Sequence, residues 1–251
     1  MTSRITRRTA LAALLASIAA PLAGRAAAQS SPVTLPDGRV YDAYIPAATK
    51  PGQFFHYTCE FDAAWALLAT FGYDVPLEVQ LDLVGHDQSV EPAYIETADG
   101  VIIRGGEIAE DYSGNYKDNF LARAAGSAMT PLFLSYGLTA DPVSDRPAIE
   151  DALRGGALVW AKVTVDFKDW VPATWISPSG RLHPTVLGND HAVVVMGFNN
   201  AGVVIRDVLG PTETNWERQY EYDVPWAHFL EVLAAQDGDA LAVKPLPRSD
   251  G

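Results

Sequence analysis

Apolar residues follow two different periods along this chain. Up to about Gly156 they recur every three to four positions, as on the buried face of a helix. From Ala157 onward they come in short continuous runs, as in strands. In the first part Phe61, Trp65, Leu68 and Phe71 share one helical face, Thr58 precedes them as an N-cap, Gly72 stops the pattern and Pro76 lies just beyond. Pro76 opens a second helix carrying Leu77, Leu81 and Val84. Residues 118–128 read as helical. Thr130-Pro131 reads as the cap and first position of another helical piece ending at Gly137, and residues 145–154 as a capped short helix closed by Gly155-Gly156. Residues 87–114 are polar with scattered glycine and read as surface loop, broken by the run Val101-Ile102-Ile103.

The second part reads as strands at 157–165 (ALVWAKVTV) and 191–198 (HAVVVMGF), with a hairpin or long loop over 171–183 around Pro178-Ser179-Gly180. The turn Asn199-Asn200-Ala201-Gly202 returns the chain along 203–207 (VVIRD). A strand at 218–222, a helix at 225–233 and a last strand at 239–244 complete it. Helices first and strands second predict an α+β fold, with N-terminal helices packed on a mostly antiparallel C-terminal sheet.

The first residues stand outside this pattern. Arg4, Arg7 and Arg8 make a basic start, an apolar run follows over 10–20, and Ala26-Ala27-Ala28 offers a small-residue cleavage site. The run is interrupted by Pro21 and Gly24 and falls short of the ~20 apolar residues of a membrane-spanning helix. Thr6-Arg7-Arg8-Thr9-Ala10-Leu11 resembles the twin-arginine export signal of bacteria, with an alanine where an aromatic is expected. Residues 1–28 are therefore read as a signal peptide without a lipid anchor. Residues 29–251 are read as one domain with an extended, proline-bearing lead-in over 29–50, and the location as periplasmic or secreted. The net charge of −13 includes four arginines in the signal and no acid there, so the remainder is more acidic still. Nucleic acid and anionic membrane are poor partners for such a surface.

Export changes the meaning of Cys59, the single cysteine. In an oxidising compartment a thiol without a partner is either a small buried hydrophobe or a reactive group. Cys59 falls in the first turn of the first helix, where the positive end of the helix dipole favours a thiolate; Glu60, a neighbouring anion, works against it. Gln53, six residues upstream, lies in a loop able to fold back beside the helix start. Its amide and the Cys59 N–H would then be two donors for one developing oxyanion.

The missing base is sought among five histidines. His191 opens a buried strand, and Asp207 ends the next strand sixteen residues later, so a hairpin makes them neighbours at one sheet end. His56 reads as a loop contact, and His86, His183 and His228 as exposed. Asp190 points away from His191 and reads as surface. A metal site of His183, Asp190 and His191 matches no common zinc spacing.

The Gln53…Cys59 spacing, the HAVVVMGF strand with its turn, the IRDVLGP segment and the aromatic-rich stretch 216–229 are together similar to the bacteriocin-processing peptidase-like family of papain-like cysteine peptidases. The resemblance covers most of residues 53–243. It implies a papain-like fold with Cys59 as nucleophile, His191 as base, Asp207 as its orienter and Gln53 in the oxyanion hole. It further implies a peptide or protein substrate and no metal or organic cofactor. Glu60 stands where many members have glycine, and Val208 where proline is common. These departures set the chain apart from the leader-cutting domain of an exporter, so double-glycine specificity is not implied. Two other uses of the scaffold stay open: acyl transfer to an amine, as in transglutaminase-like relatives, and a non-enzymatic periplasmic binding protein.

Overall fold

The computed structural model describes residues 31–211, 217 and 219–247, so the expected signal peptide lies outside the described residues. Strands β1 (Val33–Thr34), β2 (Val40–Tyr41) and β3 (Ala43–Tyr44) precede helices α1 (Cys59–Thr70) and α2 (Leu77–Val84). Then come β4 (His86–Asp87), β5 (Ala93–Thr97), β6 (Gly100–Arg104), β7 (Tyr112–Ser113), α3 (Gly126–Ser135), β8 (Asp141–Pro142) and α4 (Arg146–Arg154). The remainder is β9 (Leu158–Thr164), β10 (Pro172–Ile176), β11 (Leu182–Val186), β12 (Asp190–Phe198), β13 (Gly202–Arg206), β14 (Glu221–Pro225), α5 (Trp226–Ala235) and β15 (Ala240–Val243).

The main sheet runs β14-β13-β12-β9-β15-β8, with β3 also pairing β12, and each of these pairs is antiparallel. Strands β9 and β12 are apolar without alternation because both of their faces are covered. On one face Trp160, Ala192, Val194 and Met196 pack against α1, α2 and α3. On the other, Val159, Ala161, Val163, Val193 and Val195 pack against α4 and α5. The expected helical layer on an antiparallel sheet is therefore present, and a second helical layer covers the opposite face. Gly197 is required where β3 crosses β12, since a Cβ there would meet the Ala43 carbonyl oxygen at 2.6 Å.

Several sequence expectations need correction. The polar stretch 87–114 is not simply loop: β5 and β6 form a hairpin, and β6 pairs in parallel with β10 in a second sheet of order β11-β10-β6-β5. Its small core is Ile103, Ile108, Leu121, Ala173 and Trp175. In addition, residues 118–125 are turns and an isolated bridge rather than helix, and one helix, α3, begins at Gly126 rather than at Pro131, which lies inside it. The anchor of that helix start is distant in sequence: the Asp239 carboxylate accepts from the Gly126 N–H at 2.8 Å. By contrast α4 begins as read, with the Asp145 side chain accepting from Ala148 N at 2.9 Å. The strand expected at 218–222 runs instead from Glu221 to Pro225, and Arg218 lies outside the described residues.

Candidate functional site

Cys59 is the first residue of α1, as expected, but Thr58 does not cap the helix with its side chain. Its hydroxyl lies 2.9 Å from the Phe55 carbonyl oxygen and 2.7 Å from Asp62 Oδ2, sharing its one proton between these two acceptors, and accepts from Phe55 N. Asp62 Oδ1 accepts from Phe54 N at 2.9 Å and pairs with Lys50 Nζ at 3.0 Å. These bonds clasp the loop before α1 onto the helix, which is the fold-back expected of it. Gln53 lies half-buried in that loop, and its amide makes no hydrogen bond among the described residues.

Burial pushes Asp62 up to about 6, against the opposing pull of Thr58, Lys50 and the Phe54 N–H. A raised carboxyl favours its protonated form in the fold. The stability linked to Asp62 is therefore fully present below the unfolded value near ~4 and is lost as pH rises through the folded one. Asp62→Asn is expected to remove this part of the dependence. In urea unfolding, wild type should lose on the order of 1–3 kcal/mol more than the variant between pH ~4 and ~7; parallel losses would show that Asp62 does not titrate in the fold.

The helix start is tied to the sheet by a charge network whose cations, Lys162 and Arg123, the sequence reading did not single out. Glu60 Oε1 accepts from Lys162 Nζ of β9 at 2.6 Å, and Lys162 Nζ donates also to Asp190 Oδ2 of β12 at 2.7 Å. Asp190 Oδ1 accepts from Gln236 Nε2 at 2.6 Å, and Asp190 lies 3.9 Å from Arg123 Nε. Asp190 is thus buried and paired rather than on the surface. Burial pushes its carboxyl up, but Lys162 and Arg123 outweigh this and hold it below the usual range. Burial likewise works against a charged Lys162, but Asp190 and Glu60 outweigh it and keep the ammonium protonated.

This clasp sets the start of α1 against the start of β12, one residue from His191. There His191 Nε2 bonds Asp207 Oδ1 at 2.9 Å, so the hairpin argument holds for this pair. Tyr222 donates to Asp207 Oδ2 at 2.7 Å and Leu209 N to Oδ1 at 2.9 Å. With a carboxylate accepting at Nε2, the ring proton sits there and Nδ1 keeps the lone pair. Nδ1 makes no hydrogen bond among the described residues.

The structure does not join Cys59 to His191 by a hydrogen bond. Strand alternation gives His191 the face of Val193, while Ala192 belongs with Cys59 to the core on the α1 face. The Cys59 thiol donates instead to Glu60 Oε2 at 3.2 Å. The expectation of a stabilised thiolate is also overturned. Burial pushes the thiol well above its ordinary value, and Glu60 and Asp190 add to this more than Lys162 offsets it. The side chain is 6% exposed.

Of the other histidines, His183 is buried rather than exposed, and its Nε2 has no hydrogen-bond partner. The Nε2 atoms of His86 and His228 contact the carbonyls of Gly114 and Phe167. Among the described residues no group of three metal-ligating side chains forms.

No family model and no curated protein sequence matches the chain. Among solved structures, the crystal structure of a Bacillus anthracis protein assigned as a C39-like peptidase aligns with a TM-score of 0.58 at 15% identity, covering 82% of this chain and 98% of that one. At that identity the likeness is one of fold, and this chain has the fold of a C39-like peptidase, in keeping with the family its sequence resembles.

Proposed function

We propose that this protein is an exported cysteine hydrolase, a peptidase, with Cys59 as nucleophile, His191 as base, Asp207 as its orienter and Gln53 as an oxyanion donor. The observation that carries the reading is the His191–Asp207 pair at the sheet end where α1 begins with the only cysteine, in a C39-like fold. His191 lies on the face of β12 opposite the α1 core that holds Cys59, so this reading requires the thiol to leave Glu60 and the two side chains to be brought together before the proton passes to His191 Nδ1. The thiolate attacks the substrate carbonyl, and Gln53 with the Cys59 N–H holds the oxyanion. The imidazolium then protonates the leaving amine, and water, activated by His191, resolves the thioester. The papain-like arrangement of the two halves belongs to the same proposal.

Product analysis of a peptide mixture, with and without an added primary amine, tests the chemistry. Free carboxyl termini that depend on Cys59 are expected. Amine adducts would indicate acyl transfer on the same residues. The burial of Cys59 and its protonated state favour the non-enzymatic binding reading, and peptides left intact by folded protein would select it.

Export is proposed from Arg7-Arg8 and Ala26-Ala27-Ala28. Secreted material should begin at Gln29 or within a few residues of it, and an N-terminus at Met1 would refute this. Among the described residues no helix is long and apolar enough to cross a membrane.

A further inference from the structure

Glu60 sits next to the proposed nucleophile and is buried with it, yet the peptidase reading gives it no task. Its two oxygens are both engaged. Oε2 accepts from the Cys59 thiol at 3.2 Å, and Oε1 accepts from Lys162 Nζ at 2.6 Å. The Glu60 backbone is pinned as well, since Trp160 Nε1 donates to its carbonyl at 3.0 Å. Lys162 is in turn held by Asp190, and Asp190 by Gln236, which bonds Thr185 and the Val163 carbonyl. The carboxylate therefore cannot swing off the thiol without breaking a buried ion pair.

We propose that Glu60 is a positioning residue that keeps Cys59 a neutral thiol, bonded to a carboxylate rather than to His191, in the free protein. The inference rests on Cys59 being the nucleophile. It adds that the resting site is not a thiolate–imidazolium pair, and that Glu60, in contact with the sulfur, adds to burial in holding the proton there.

The charged and titratable groups that bear on the sulfur come from several elements. Glu60 lies on α1 itself, Lys162 on β9, Asp190 on β12 and the Tyr112 hydroxyl on β7, while Arg123, before α3, pairs with Asp190. The nearest is the Glu60 carboxylate, in direct contact, and it disfavours a second negative charge on sulfur. Lys162 stands behind Glu60 and shares its charge with Asp190, so its pull on the sulfur is the weaker one.

Cys59 is the only thiol, so thiolate absorbance, corrected with Cys59→Ser, reports its titration without any need for reagent access. The native wild-type midpoint is expected above that of the urea-unfolded chain, which should lie near ~8.5. Glu60→Gln, which keeps the shape and removes the charge, is expected to lower the native midpoint by about one pH unit or more. That is about ten times more thiolate at a fixed pH below both midpoints. Glu60→Asp, which keeps the charge, should stay nearer to wild type than to Glu60→Gln.

A Glu60 that merely pairs with Lys162 would change stability on substitution and leave the titration alone. A Glu60→Gln curve superimposed on wild type overturns the proposal, and so does a native wild-type midpoint at or below that of the unfolded chain. Burial alone also raises the native midpoint, so should Glu60→Gln not fold, Glu60→Ala decides the matter: a native midpoint no lower than that of wild type overturns the proposal. Titration requires no turnover. A shifted midpoint in a protein that cleaves nothing would uphold the role of Glu60 while the peptidase reading fell.

Discussion

Cys59→Ser is expected to abolish peptide cleavage, and His191→Ala to lower kcat by about 10⁴-fold or more, with the double variant no worse than the poorer single one. The non-additivity follows from shared work: without a base the thiol is rarely ionised, and without a thiol the base has nothing to activate. Gln53→Ala should cost about 10²–10³ in kcat, the usual loss for one oxyanion donor, with the thiol titration unchanged. Asp207→Asn should cost less than His191→Ala, because an amide at that position can still orient the ring, and the Tyr222 hydroxyl and Leu209 N–H still hold the side chain. The measurement is turnover of whichever peptide the wild type cleaves, on variants shown to be folded by circular dichroism. A His191→Ala protein with wild-type turnover would remove His191 from the site. Slow wild-type cleavage with a normal ranking of the variants would instead fit a site restrained by Glu60.

Strand residues were easy to read because the chain itself signals when both faces of a strand are covered. HAVVVMGF and ALVWAKVTV have no polar alternation, and β12 and β9 lie between two helical layers. The short helix α4 was equally legible, since its cap is local, with Asp145 bonding three residues on. What stayed hidden depends on partners far apart in sequence. Nothing near Gly126 announces a helix start, because the carboxylate that holds it belongs to Asp239. The hairpin over 93–104 was passed over although Tyr94, Ile95 and the run 101–103 flank Asp99-Gly100, a hairpin signal, because polar residues surround it and its partner strand β10 lies some seventy residues on.

The candidate site divides in the same way. His191 and Asp207 were found from one hairpin, a local geometry with a fixed consequence. Asp62 was missed although it lies one helical turn from Thr58, because Thr58 already sufficed as a cap on paper. The error over Asp190 has a different origin. Alternation correctly sends its side chain to the face opposite His191, but that face is covered by α1 and is not solvent. Glu60 was read as a small electrostatic opponent of the thiolate. Its weight comes from Lys162, about a hundred residues later, which fixes the carboxylate against the sulfur.

Lys162→Met is expected to destabilise the fold by about 3–5 kcal/mol at neutral pH, the largest stability effect of any single substitution at this site. Four formal charges meet there: Glu60 and Asp190 against Lys162 and Arg123. Removing the ammonium leaves two buried carboxylates sharing one guanidinium that stands 3.9 Å from the nearer of them. The cost is that of uncompensated charge rather than of lost packing, since methionine has a similar reach. Two further results distinguish these causes. Lys162→Met combined with Glu60→Gln restores the balance, leaving Asp190 against Arg123 with Gln236 still bonded to it, and should recover more than half of the loss. Lowering the pH should also narrow the gap. In wild type the Asp190 carboxyl is held below its ordinary value, so its contribution is present above about pH 4 and is lost as pH falls. In Lys162→Met the carboxyls should be raised instead, so the deficit grows as pH rises past ~4 and is small below it. Urea unfolding of the three proteins at pH ~4 and ~7 measures both effects. A loss that is the same at the two pH values, and that Glu60→Gln does not relieve, would mean that the lysine stem packs the core and that its charge holds nothing in place.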